Sequence, residues 1–353
     1  MGGSGFKRIE WTKKMGKILT VVVPTYNAEK YLRDNLESFK IPELMEDLEI
    51  LIVNDGSTDH SLEIAEEYVR QYPDTYRVIT KENGGHGSGI NCGIANARGT
   101  YFKVVDADDW VGEKAFCDLV RTLKTSNADV VYSGFLWTYD NGEADKTKFQ
   151  TKAEITIPFE GVEYQKTYSF DSIADKLYMK MHNMTIKTEI LRENQVHIDE
   201  HCYYVDTEYI TYPIPYVKTI CFVDGFVYYY RLGRAGQSVG LEKMQKNEEN
   251  YNKVLESLLK FYRQLGNQVP CTEIKKQYIA RLIARVIAGK FKIMLSFSPS
   301  AKKKQQIKQY DQNLKTQYRD IYDSNINKAV SLLRKTQYHT YYLVNLMVRS
   351  MCR

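Results

Sequence analysis

The sequence predicts an α/β fold, a Rossmann-like and mostly parallel sheet with helices on both faces, followed by a C-terminal α-helical region. Three observations carry that prediction. Short β-branched runs alternate with segments of helical periodicity. Each run up to residue 105 ends in a polar cluster rather than a hairpin turn. From Glu242 onward the apolar spacing is helical only, with Pro270 and Pro299 as breaks.

The elements follow in order. Ile18 to Val23 is a β-branched strand ending at Pro24-Thr25-Tyr26-Asn27, and residues 28 to 40 place Tyr31, Leu32, Leu36 and Phe39 at helical spacing. Leu48 to Val53 is a second strand. It ends in Asn54-Asp55-Gly56-Ser57-Thr58-Asp59, where Gly56 permits a tight turn and Ser57, Thr58 and Asp59 are candidate helix caps. The helix after it carries Leu62, Ala65, Tyr68 and Val69. Arg77 to Thr80 gives a third strand, then a glycine-rich loop and a short helix, then Tyr101 to Val105. Ligands bind outside the carboxyl ends of the strands in such sheets, so three polar clusters converge on one crevice.

The last cluster, Asp106-Ala107-Asp108-Asp109-Trp110, carries the chemistry. Carboxylates crowded at a strand end repel one another, and a divalent cation relieves that repulsion. Asp106 and Asp108, two apart in an extended segment, fall on one side and can share a hard cation through oxygen ligands. An isolated D-x-D also serves as a plain polar turn; convergence with the two upstream clusters favours the metal-diphosphate reading.

The ordered motifs V-V-V-P-T-Y-N, I-V-N-D-G-S-T-D, N-G-G-H-G-S-G-I-N-C-G and V-V-D-A-D-D-W resemble the family 2 glycosyltransferases of the GT-A fold, over roughly residues 17 to 240. The resemblance implies inverting transfer of a sugar from a nucleotide donor, most often a UDP-sugar, with Mg or Mn on the diphosphate. It implies nucleotide contacts from Pro24, Thr25 and Tyr26, with Asp55 and its neighbour Gly56 at the uracil. Asp106 would face the ribose and the metal, and Asp108 would be the direct metal ligand. Inversion in one displacement also requires a carboxylate base on the far side of the sugar. Relatives carry a Glu-Asp pair in the segment 198–209; here Val205 replaces the Glu, so Asp206 is the base and Glu208 the fallback.

Where relatives have Ala-Arg-Asn this chain has Gly89-Ile90-Asn91, keeping only the asparagine as a nucleotide contact. The surrounding glycines would let backbone N–H groups approach a ligand, though a flexible loop has the same composition. Arg231 and Ser238 are the expected diphosphate contacts on a loop folding over the site, with Arg234 as the alternative arginine. His86 fits either a donor contact or a solvated loop residue. His182 fits either a donor or metal contact or a histidine partnered within the fold. The Gln-x-x-Arg-Trp motif of processive synthases is not in the sequence, which implies one sugar per binding event.

Composition sets the remaining expectations. A chain of 353 residues, 43% hydrophobic, can bury a large core. No apolar run reaches the roughly 20 residues that span a bilayer, and no signal peptide is visible, so a cytoplasmic enzyme is expected. Six scattered cysteines without C-x-x-C spacing indicate neither zinc nor disulfides. Residues 1–16, opening Met-Gly-Gly-Ser-Gly, read as a leader outside the fold, 17–240 as the catalytic domain and 241–353 as a basic helical region.

That last region divides into helices over Tyr251–Leu265, Thr272–Phe297 and Ala301 onward. Residues 301–353 hold eleven Lys or Arg against three Asp, a net +8, whereas the whole chain is +5 and the first 300 residues therefore −3. Lys302-Lys303-Lys304 with Tyr338, Tyr341, Tyr342, Leu343, Val344, Leu346, Met347 and Val348 reads as a helix drawn to an anionic membrane surface, peripheral on the inner face of the cell membrane. A helical cap or homo-oligomer contact is the competing reading. No nucleic-acid module is recognisable, so no nucleic-acid partner is expected. The resemblance implies a glycan or lipid-linked acceptor in cell-surface polysaccharide synthesis, with a cell-surface polysaccharide, a teichoic acid and a protein-linked glycan all open. Two rivals stand beside this: a non-catalytic nucleotide-sugar-binding scaffold, which Val205 suggests, and a Mg-dependent phosphatase, which would place its first Asp after the first strand.

Overall fold

The computed structural model describes residues 16–143, 146–153, 161–233 and 241–350. Its sheet contains β1 (Leu19–Thr25), β2 (Leu48–Asn54), β3 (Tyr76–Thr80), β4 (Tyr101–Val104), β5 (Trp110–Val111), β6 (Val130–Tyr139), β7 (Gln150–Ala153), β8 (Thr167–Ser169), β9 (Met184–Lys187) and β10 (Thr219–Leu232). The order is β3-β2-β1-β4-β9-β6-β10-β5, with β7 on β6 and β8 on β10. Strands β1 and β2 alternate their side chains between two cores: Val22, Leu51 and Val53 point to one, Val21, Val23, Ile50 and Ile52 to the other. Being covered on both faces explains their nearly unbroken apolar runs.

The parallel expectation holds for β3-β2-β1-β4, after which the sheet is mixed. Strand β9 runs antiparallel to both β4 and β6. This reversal positions the site. The pairs Tyr101↔Lys187 and Phe102↔Ile186 continue, in antiparallel register, to bring His182 level with Asp106 at the carboxyl edge of β4.

The helices α1 (Glu29–Glu37), α2 (Ser61–Gln71), α3 (His86–Asn96) and α4 (Glu113–Thr125) follow β1, β2, β3 and β5. In the C-terminal third, helix Glu273–Ser296 lies in the same apolar cluster as the sheet; Tyr278 meets Phe170 edge-on at 5.2 Å. The helical region therefore shares the sheet's core. The helix expected from Ala301 onward is instead four helices, Ala301–Gln317, Arg319–Asp323, Lys328–Lys335 and Tyr341–Ser350. The chain breaks at Tyr318, which leaves the helical region with φ −139° and ψ 60°, at Asn327, whose side chain caps Ala329 and Val330, and at Gln337 and Tyr338, both with positive φ.

Candidate active site

The carboxyl ends of β1, β2 and β4 open on a cleft of about 680 Å³ lined by Pro24, Thr25, Tyr26, Asp55, His86, Asp106, Asp108, His182 and Asp206. The three sequence clusters thus meet. The turn after β1 is pinned by the turn after β2: Thr58 N donates to Asn27 Oδ1 (2.8 Å), Asn27 N to Ser57 Oγ (3.1 Å), Ala28 N to Ser61 Oγ (2.8 Å) and Glu29 N to Asp59 Oδ2 (3.0 Å). Ser57 and Asp59 therefore satisfy amides at the start of the neighbouring helix α1, although their sequence position suggested only their own helix.

Asp55 holds the next loop. Its Oδ1 accepts from Lys81 Nζ (2.8 Å) and Gly84 N (3.0 Å), and its Oδ2 from Gly85 N (2.7 Å). Both oxygens are thereby engaged within the protein while the residue still lines the cleft. Gly85 adopts φ +82° there, and Gly56 turns at φ +74°.

The glycine-rich segment is mostly helix α3, and its glycines serve close packing. A Cβ at Gly89 would stand 2.9 Å from Pro24 Cβ, one at Gly93 2.5 Å from Val22 Cγ1, and one at Gly87 2.1 Å from the Asp199 carbonyl oxygen. Seating α3 directly on β1 brings its first residue, His86, into the cleft. Asn91 lies a turn and a half further on and pins residues 198–200: it donates to Ile198 O (2.8 Å) and Glu200 Oε1 (3.0 Å) and accepts from Ile198 N (2.9 Å). It is absent from the cleft lining, and its side chain serves these fold contacts.

The acidic loop after β4 is built rigidly. Asn35 Nδ2 donates to the carbonyls of Asp106 (3.0 Å) and Asp109 (2.8 Å). Tyr228 Oη accepts from Asp106 N (3.2 Å) and donates to Asp109 Oδ2 (2.5 Å), while Arg231 N donates to Asp109 Oδ1 (2.7 Å). Burial and the neighbouring Asp106 charge push Asp109 well above the usual carboxylate range, against those hydrogen bonds.

Arg231 is placed differently from its expected diphosphate role. It is 3% exposed, donates from Nε to Asp108 O (2.8 Å), from Nη1 to Asp140 (2.8 Å) and from Nη2 to Asp34 (3.2 Å), and lies against Trp110 and Tyr31. Its fork braces the acidic loop from behind. Arg234 and Ser238 lie outside the described residues.

His86 Nε2 meets Asp106 Oδ1 at 2.8 Å. Burial works against charge on His86, but Asp106, then Asp206 and Asp55, raise its pKa above the ordinary imidazole value. His182 is the opposite case. Packed among Phe135, Tyr228 and Tyr230 with ring centroids 4.7–4.8 Å away, it is driven by burial to about 3 and stays neutral. Its Nδ1 is buried with no hydrogen-bond partner among the described residues. Asp106, Asp109 and His182 bring one ligand atom each within 4.8 Å of one another, a set that could hold a cation. Asp108, the expected ligand, lines the same cleft outside that trio.

Asp206 opens helix Asp206–Thr211 and is exposed into the cleft while protein surrounds it. That enclosure raises its pKa, with Asp106 adding and His86 and Lys180 opposing. Glu208 is fully buried on the other side, where its Oε2 accepts from Asp199 N (2.8 Å). It is absent from the cleft lining, which leaves Asp206 as the carboxylate facing the acidic loop. Val205, in place of the expected Glu, packs into the core and also lines the cleft beside Asp206.

Two contributors were passed over in the sequence. Lys103, in the middle of β4, is fully buried, donates to His182 O (2.8 Å) and Met184 O (3.4 Å), and is pushed by burial down to about 7. A lysine inside an apolar strand run was the available signal. Tyr228 gave none, since its two partners lie more than a hundred residues away.

Residues 20–186 match the family described as glycosyl transferase family 2. The chain is 36% identical over 145 residues to an uncharacterised glycosyltransferase, EpsJ, of Bacillus subtilis (strain 168), an alignment covering 39% of this chain and 42% of EpsJ. It is 26% identical over 250 residues to the minor teichoic acid biosynthesis protein GgaB of the same organism, covering 70% of this chain and 26% of GgaB. The chain thus spans less than half of either relative's length. Residues 1–349 of TarS from S. aureus, crystallised with UDP-GlcNAc, superpose with a TM-score of 0.61 at 19% identity, covering 94% of this chain and 89% of that one. The fold is GT-A, and the match to glycosyl transferase family 2 covers just under half of the chain.

Proposed function

We propose that the protein transfers a sugar, with inversion, from a UDP-sugar to a glycan or lipid-linked acceptor in cell-surface polysaccharide synthesis. The observation that carries this reading is the cleft itself. It sets Asp206, a carboxylate with a raised pKa, opposite Asp106, His86 and His182 at the carboxyl edge of the sheet. The UDP-GlcNAc bound by TarS supports the donor class, and the teichoic acid role in GgaB's name supports the acceptor class. A cytoplasmic location follows from the donor, since nucleotide sugars are a cytoplasmic pool.

In this mechanism Pro24, Thr25 and Tyr26 bound the nucleotide end of the cleft, beside Asp55. Asp206 removes the proton of the acceptor hydroxyl as that oxygen attacks the anomeric carbon, a contribution of about 10² to 10⁴ in rate. A base whose pKa lies above that of a free carboxylate holds the proton it takes more firmly. His86, hydrogen-bonded to Asp106 and with its pKa raised by that carboxylate against the effect of burial, stands in the cleft where the diphosphate would depart. A Mg or Mn ion fits the donor set: Asp106 and neutral His182, with its free Nδ1, would hold it together with Asp108 or Asp109. When bound, such an ion stabilises charge on the leaving diphosphate as a Lewis acid.

A nucleotide-sugar-binding scaffold is the second reading; its motive is Val205, which stands where relatives carry a Glu and lines the cleft beside Asp206. Release of UDP measured across a panel of nucleotide-sugars tests both. Sugar transfer predicts that one donor is consumed; UDP binding with no donor consumed would favour the scaffold.

A further inference from the structure

We propose that the face formed by Tyr342, Leu343, Leu346 and Met347, with the lysines beside it, docks on an anionic lipid surface. This inference is independent of the sugar chemistry. In helix Tyr341–Ser350, Tyr341, Val344 and Asn345 point inward. Asn345 Nδ2 donates to Leu295 O (2.6 Å) and Phe297 O (2.9 Å), which fixes the rotation of the helix. The four apolar residues at i, i+1, i+4 and i+5 are left outward at 52–64% exposure. A surface helix ordinarily turns such a stripe toward the core, and a contiguous exposed apolar patch marks an interaction site.

The charge around this face selects the partner. Lys303 Nζ stands 4.4 Å from the ring of Phe297, the residue whose carbonyl Asn345 holds, so the run Lys302-Lys303-Lys304 borders the helix. The three acids of residues 301–353 are already engaged: Asp311 by Arg334 and Tyr338, Asp320 by Tyr262, Asp323 by Arg319. Among the described residues, no ion pair is formed by Lys302, Lys303, Lys304, Lys335 or Arg349. A second copy meeting this face would bring the same positive charge against it, whereas anionic headgroups complement it. Exposed apolar side chains in a strongly basic segment suit insertion at the headgroup boundary.

Co-sedimentation of the full chain with phosphatidylcholine vesicles, with and without phosphatidylglycerol, tests the assignment. The full chain is expected to bind the phosphatidylglycerol vesicles and to lose binding at high salt. Each basic residue contributes about fivefold near such a surface, so Lys302→Gln/Lys303→Gln/Lys304→Gln is expected to weaken binding at least about tenfold. Leu343→Glu/Leu346→Glu, at exposed positions that leave the thermal midpoint unchanged, is expected to abolish it. No affinity for phosphatidylglycerol vesicles would overturn the proposal, as would undiminished binding by both variants. A dimer that Leu343→Glu/Leu346→Glu dissolves, without vesicle binding, would assign the face to a second copy instead.

Discussion

The imidazole of His86 and the carboxylate of Asp106 meet at 2.8 Å, joining the first residue of α3 to the first acid after β4. Asp106 is further fixed through its own backbone, by Tyr228 at the amide and Asn35 at the carbonyl. One carboxylate thus lies between His86, whose pKa it raises, and the neutral ring of His182. The cleft therefore holds its acids in place through paired charge, and a cation entering it meets a pre-built donor set.

His182→Phe would keep the aromatic stack with Phe135 and Tyr230 and remove both ring nitrogens. We expect Mn²⁺ affinity in the presence of UDP, read by electron paramagnetic resonance, to fall at least about tenfold. Unchanged affinity would leave Asp106 and Asp108 as the ligands, as the D-x-D spacing alone suggested.

Arg231→Met tests a structural role against a substrate contact. Arg231 is a buried cation, and removing it takes a charged hydrogen-bond partner from part-exposed Asp140 and Asp34 and from the Asp108 carbonyl. That loss is expected to cost about 1.5–3 kcal/mol of unfolding free energy in urea titrations. A diphosphate contact would instead raise KM with stability intact.

Glu208 gives the stability a pH dependence. Burial raises its pKa to about 7 in the folded protein, against 4.5 for a free glutamate. The folded state therefore holds the proton more firmly than the unfolded state. The corresponding stability is complete below about pH 4.5 and is lost as pH rises through about 7, a difference on the order of 3 kcal/mol. Glu208→Gln keeps an oxygen for Asp199 N and should flatten the thermal midpoint between pH 5 and pH 8. An equally steep profile in the variant would remove Glu208 as the cause.

Local chemistry wrote the first half of this molecule legibly. Strands β1 to β4 and the polar edges after β1, β2 and β4 are readable from short runs of neighbouring residues, whereas Asp206 came from the family resemblance. What stayed hidden depends on partners distant in sequence. Arg231 read as a phosphate ligand because Asp34 and Asp140 are far along the chain. The glycines of residues 84–93 read as ligand-facing because Pro24 and Val22, which they touch, belong to another strand. The antiparallel entry of β9 placed His182 beside Asp106, and no motif announces that register. In the C-terminal third, Asn327 as a cap and the positive φ at Gln337 and Tyr338 cut a helix whose apolar spacing looked continuous. The apolar stripe expected at one surface also splits: Tyr338, Tyr341 and Val344 are core, while Tyr342, Leu343, Leu346 and Met347 are not.

The central claim is that Asp206 takes the acceptor proton at a nucleotide-sugar site, and Asp206→Asn addresses it most directly. With the donor identified by UDP release, the variant is expected to lose about 10² to 10⁴ in transfer rate, while calorimetry shows UDP binding with Mn²⁺ as tight as in the parent protein. Near-normal turnover in Asp206→Asn would contradict the account.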